Sequence, residues 1–229
     1  QKGEKERNSA QMLKAYMWRM KTQDILTPDS FYVGLRDLEQ WAKQTKQPMD
    51  RAILHSLIAE FYANYAADNQ WQLRQRTEIV GETPSADIRE WTANMFVEKV
   101  RTNVKEALAD SLLLLKTSSR NYIPFVELGE TSEYYHHDMY HLLASRAIRA
   151  LNQIERLERG SFNGITASPV KQDIINIYER MTDAYETAGL KEGYVLTMLQ
   201  YLEWKRDNDN KLQPVQLKKG LGEWTADTY

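Results

Sequence analysis

Residues 132–154 read SEYYHHDMYHLLASRAIRALNQI, and this stretch decides the fold class. Read as a helix, it places Tyr140, Leu143, Ala144, Ala147, Leu151 and Ile154 at steps of three and four, which is one face of a 3.6-residue turn. That stripe is expected to be buried. Met139, Leu142 and Leu157 fall on the other side of the same wheel, so a single neighbour would not cover everything apolar on this helix. The spacing therefore predicts a central helix packed on two sides. Ala144, Ser145, Ala147 and Ala150 are small enough to let neighbouring helices approach to the usual ~8–10 Å.

The same periodicity runs outward in both directions. Residues 4–21 carry Met12, Leu13, Tyr16, Met17 and Met20 at helical spacing. Thr27-Pro28-Asp29 reads as an N-cap followed by proline in the first turn, opening a second helix with Phe31, Leu35, Leu38 and Ala42 inward. Gly34 weakens that helix by about 1 kcal/mol relative to alanine, so it is expected to mark a close contact. Beyond Gln47-Pro48 a third helix presents Leu54, Leu57, Ile58, Phe61, Tyr62 and Tyr65, with a continuation through residues 66–76. After a break at residues 81–85, Ile88, Trp91, Met95, Val100, Val104, Leu108, Leu112 and Leu115 trace one long helix with a kink at Asp110-Ser111.

Residues 117–132, with Pro124 and Gly129, form a loop dividing an N-terminal helical half, 1–116, from a C-terminal half, 133–229, of one continuous helical domain. Ser168-Pro169 opens a helix through Ile174, Ile177, Tyr178, Met181 and Tyr185, and Ala188-Gly189 closes it. Residues 190–206 form the next helix, with Val195, Met198, Leu199 and Leu202. Two helices joined by so short a turn make an antiparallel hairpin of tetratricopeptide type, although no repeat of about 34 residues recurs along the chain. No run of β-branched residues alternates between turns. The expected fold is all-α, an array of antiparallel helical hairpins, tetratricopeptide-like in part.

Composition narrows the function classes. A formal net charge of −2 gives no electrostatic reason to expect nucleic acid as a partner. With no cysteine there is no disulfide, thiolate metal site or cysteine nucleophile. No apolar run approaches the ~20 residues that span a bilayer, so no transmembrane segment is expected in this chain. The start at Gln1 without methionine, and the helix-like ending at residues 223–229, suggest a segment of a longer polypeptide.

The sharpest chemical candidate is His137-Asp138-Met139-Tyr140-His141. Histidines at i and i+4 share a helix face and can chelate zinc, with a neighbouring acid acting on a bound water. Zinc peptidases of this layout carry glutamate where Asp138 stands, and no third ligand follows on a downstream helix. His137 and His141 are accordingly read as packing residues, with His55 a further core or edge histidine. Asp207-Asn208-Asp209-Asn210 opens like a calcium loop, but Leu212 occupies the turn glycine's place and Lys218 that of the bidentate glutamate. Gly220-Leu221-Gly222 lacks a preceding strand and a third glycine. No serine sits in a Gly-x-Ser-x-Gly elbow. The expectation is a protein without catalytic residues or cofactor. Most of its six tryptophans and 13 tyrosines are expected between helix layers, with Trp41, Trp71, Tyr134 and Tyr135 as candidates for a surface that binds peptide, glycan or another domain. The alternative readings are a free-standing tetratricopeptide-like receptor for peptide or glycan and, behind it, a zinc hydrolase using His137 and His141.

The run from Tyr134 to Ala147, YYHHDMYHLLASRA, resembles a stretch in the N-terminal helical region of very large alpha-2-macroglobulin-like proteins of Bacteroides-type bacteria. Leu108-Ala109-Asp110-Ser111-Leu112, the loop through Tyr122-Ile123-Pro124, and Gln200-Tyr201-Leu202-Glu203-Trp204 are similar to the same region. The resemblance implies an all-helical segment preceding macroglobulin-type β-sandwich domains in an exported, periplasmic or envelope-associated protein. Its partners would be other domains of the same polypeptide, and possible further protein partners, in a parent that traps or inhibits proteases. Some members capture the attacker through a Cys-Gly-Glu-Gln thioester, which a chain without cysteine cannot contain. No functional residue is carried over by the resemblance.

Overall fold

Every turn of backbone satisfies its own hydrogen bonds in a helix, so the apolar stripes need only one another to be buried. The computed structural model describes residues 8–26, 31–77, 85, 87–123, 125–127, 137–158 and 168–208. Among these are nine α-helices: α1 (Ser9–Leu26), α2 (Phe31–Gln44), α3 (Pro48–Asp68), α4 (Gln70–Gln75), α5 (Ala93–Ala107), α6 (Ser111–Lys116), α7 (Met139–Glu155), α8 (Pro169–Thr187) and α9 (Lys191–Asn208). Short 3-10 turns occupy Ile88–Glu90 and Ser119–Tyr122. The β contribution among the described residues is a single antiparallel bridge, Ser118 to Asp138. The fold is all-α.

Facing side chains give the direction of each helix. Between α3 and α5, His55 meets Asn103 and Tyr62 meets Phe96, so numbers rise on one helix as they fall on the other. Those two are antiparallel. Tyr140 with Tyr185, and Glu155 with Lys171, show the same for α7 and α8, as do Tyr185 with Gly193 and Tyr178 with Tyr201 for α8 and α9. Arg146 on Glu60 and Gln153 on Asn64, by contrast, advance together, so α7 runs parallel to α3. Asn152 of α7 accepts from Trp204 Nε1 of α9 at 3.2 Å, while Arg101 of α5 reaches Asp173 of α8 at 2.5 Å. The result is two layers, α3, α7 and α9 in one and α5 and α8 in the other. This is the hairpin array expected, and α9 packs antiparallel on α8.

The central helix packs on two sides as its wheel requires. Tyr140, Leu143, Ala144, Ala147, Leu151 and Ile154 are all buried, and Met139 and Leu157 are buried on the opposite side. Its neighbours are α3, α5, α6 and α8. One core runs from Leu13 to Trp204, crossing the segment at 117–132 that the sequence suggested as a divide. The ends of that segment are tied by Ser119 N donating to the His137 carbonyl at 2.8 Å and Met139 N to the Thr117 carbonyl at 2.9 Å.

Three boundaries differ from the sequence reading. The central helix starts at Met139, because Asp138 turns extended (φ −95°, ψ 157°) and caps it. The long helix of residues 88–115 is three pieces. Trp91 and Thr92 are extended, and Asp110 caps α6 by accepting from Leu113 N at 3.0 Å, close to the expected kink. On α9 the buried positions are Gly193, Thr197, Tyr201 and Trp204, so the Val195, Leu199 and Leu202 stripe points outward. Gly34 does mark a close approach: Tyr16 Oη donates to its carbonyl at 2.7 Å, and a Cβ there would lie 3.2 Å from Met20 Cε. Thr27-Pro28-Asp29 and residues 81–84 lie outside the described residues.

Candidate functional site

A zinc site on His137 and His141 requires both on one helical face, and the helix start removes that condition. His137 precedes the cap, in the backbone bridge to Ser119. Asp138, 3% exposed, accepts from His141 N at 2.6 Å through Oδ1 and from Tyr185 Oη at 2.9 Å through Oδ2. The acid is thus a cap and a tyrosine acceptor at the junction of α7 and α8. Burial lowers the His141 pKa below its usual 6.5, against the opposing pull of Asp138's charge. Burial, and then Asp138, push the Tyr185 hydroxyl well above the usual tyrosine range, so it is a permanent donor. Among the described residues no three His, Cys, Asp or Glu side chains gather to hold a metal ion. His55 pairs with Asn103 at 2.8 Å across α3 and α5.

A second buried acid, Asp50, likewise ties separate elements together. Asp50, in the first turn of α3, accepts from Ser9 Oγ at 2.6 Å and from Tyr122 Oη at 3.2 Å. It joins α1, α3 and the 3-10 turn at Ser119–Tyr122. A carboxylate at a helix N-terminus is favoured by the backbone dipole, which offsets part of the cost of its burial.

The aromatics divide between interior and surface. Trp91 stacks on Tyr62 at 5.3 Å and touches Phe96 at the same distance, with its Nε1 donating to the Ser85 carbonyl. Trp204 is buried beside Tyr178. Of the candidates for a binding surface, Trp41 is half-buried against Tyr16 at 5.6 Å, and Trp71 is 73% exposed on α4. Tyr134 and Tyr135 lie outside the described residues, as do Gly220-Leu221-Gly222 and the end of the Asp207–Asn210 run.

Two surfaces stand out. The first is the outer face of α9, where Val195, Leu199 and Leu202 are 54%, 55% and 41% exposed. Their i, i+4, i+7 spacing makes one continuous stripe. The second is a groove of about 550 Å³ on the layer of α3 and α7, whose floor is Ile148 and whose α7 wall carries Ser145, Arg149, Asn152 and Arg156. Sequence reasoning had α9's apolar residues in view without their direction. It missed the groove arginines altogether, since charged residues at i and i+7 read as an ordinary solvated face. No family model, curated protein or solved structure matches the chain, so its class is defined by the fold, an all-α array of antiparallel hairpins.

Proposed function

We propose that this chain is a non-catalytic scaffold and protein-contact module of a larger alpha-2-macroglobulin-like polypeptide of the cell envelope, docking through α9 onto further domains of that polypeptide. The observation that supports this reading is the exposed apolar face of α9. Stacked helical arrays bury each apolar face against the next unit and close with a polar cap. Here α9 pairs with α8 on one face and leaves Val195, Leu199 and Leu202 open on the other. Covering such side chains contributes about 1.5–3 kcal/mol each, enough to seat a neighbouring helix.

The test is the size and location of the native polypeptide. Fractionated source cells are immunoblotted with antibody against residues 139–208, and the native protein is cross-linked at Lys191 and Lys205. A very large envelope band, with cross-links from α9 to sequence outside this chain, is the expected result. A soluble band at the mass of the 229 residues would overturn it and make the protein a free-standing receptor.

A further inference from the structure

Ser145, Arg149, Asn152 and Arg156 follow one another at steps of four, three and four, so they form a single row along α7. Between α7 and the end of α3 this row borders the groove of about 550 Å³, completed by Ala67, Gln70 and Gln153. That volume suits a ligand of several residues. Among the described residues the lining includes two guanidinium groups and no carboxylate.

The neighbouring arginines are spent differently. Arg146, one turn back, is paired with Glu60, and Arg74 of α4 lies on the Arg156 carbonyl at 2.6 Å and 3.2 Å. Arg149 and Arg156 are both exposed, and their guanidinium groups take part in no ion pair among the described residues. The amides beside them are held in place: Asn152 by Trp204 and Gln153 by Asn64. Gln153 Oε1 is buried with no hydrogen-bond partner among the described residues, so the groove is bordered by an amide that the fold leaves half satisfied.

We infer that this groove binds an extended acidic peptide segment, its carboxylates on Arg149 and Arg156 and its backbone on the Asn152 and Gln70 amides. The spacing selects a chain over a single anion. Seven residues of helix separate the two arginines by about 10 Å along the axis. A polyproline-type strand places every third side chain on one face at roughly 9 Å intervals, so two carboxylates can meet two guanidinium forks at once. A single phosphate would need both side chains drawn together, whereas two carboxylates of an extended chain match the spacing as it stands. Two arginines in a chain of net charge −2 are also too few to hold a nucleic acid by its backbone. The inference specifies a partner for the contact module proposed above, and it concerns the groove between α3 and α7 rather than the open α9 face.

The test uses the full 229-residue chain and a fluorescent synthetic peptide with glutamate at every third position, read by anisotropy. Saturable binding is expected, weakening with added salt and absent for the same peptide with glutamine at those positions. Arg149→Gln and Arg156→Gln are each expected to weaken binding about tenfold, with Arg156→Lys intermediate because it keeps charge and loses the fork. Thermal unfolding of these exposed-site variants is expected to match the parent. Equal binding of the glutamine peptide, or undiminished binding by both arginine variants, would overturn the inference. So would a short RNA or pyrophosphate that binds more tightly than the peptide and displaces it, which would make this a phosphate site. Leu199→Ser is expected to leave peptide binding unchanged. The groove and the α9 face can therefore fail separately.

Discussion

Asp138 ties three separate parts of the chain together. One oxygen caps α7 through His141 N, the other accepts from Tyr185 Oη of α8, and its backbone bridges to Ser118. A cap is worth about 1 kcal/mol, and a buried hydroxyl deprived of its acceptor costs about 1–3 kcal/mol more. Asp138→Ala is therefore expected to destabilise the chain by roughly 2–4 kcal/mol in urea unfolding, and Tyr185→Phe by about 1 kcal/mol, since that change removes donor and leaves the cap. His141 supplies a pH dependence of defined sign. Its folded pKa lies below the unfolded value of 6.5, so below that pH the unfolded chain takes up a proton that the folded chain refuses. The stability tied to neutral His141 is complete above about pH 6.5 and declines as pH falls toward the lowered folded pKa. His141→Gln is expected to flatten that decline, measured as the difference in melting temperature between parent and variant from pH 7 to pH 5. The sequence displayed these residues as a zinc pair because Tyr134 and Tyr135 prolong the helical pattern upstream. Without an acid at position 141 there is no capping box to signal where the helix starts.

Helix α8 shows how far an element can be read locally. Ser168 caps it by accepting from Lys171 N at 3.0 Å, Pro169 fills its first position, and Gly189 ends it at φ +69°. Gly189 N donates to the Glu186 carbonyl and Leu190 N to the Tyr185 carbonyl, a paired closure that needs a left-handed residue. Every part of that was legible from nearest neighbours. Gly193 was not, because its reason lies on another helix: a Cβ there would stand 2.7 Å from Tyr185 ring carbons. Gly193→Ala improves intrinsic helix propensity by about 1 kcal/mol, yet the clash with a ring held by Asp138 is expected to dominate. A net loss of about 1–3 kcal/mol in thermal or urea unfolding is the expected outcome. A gain in stability would show that the ring can shift aside. The split of residues 88–115 has the same character. Its apolar spacing is continuous through Trp91, but the tryptophan extends to stack on Tyr62 and donate to Ser85.

At the scale of the whole molecule, the exposed face of α9 stands apart from the core. Val195, Leu199 and Leu202 contribute little to this chain's own core, so Leu199→Ser is expected to change unfolding free energy by less than about 0.5 kcal/mol. The same change is expected to weaken cross-linking of α9 to neighbouring sequence in the native polypeptide, read by mass spectrometry. A large loss of stability instead would place Leu199 in an intramolecular contact.

Periodicity alone determined that the chain is helical, where its amphipathic stretches lie, and that the stretch at 132–154 carries a central helix packed on two sides. It could do so because a helix repeats every 3.6 residues whatever surrounds it, and its apolar face is written in the spacing. Tertiary structure alone decided which face of α9 turns inward, where Asp138 interrupts a continuous pattern, and that Arg149 and Arg156 share a groove. Those outcomes depend on partners such as Tyr185, Trp204 and Asn64, which lie far away in sequence and become neighbours only when the layers stack.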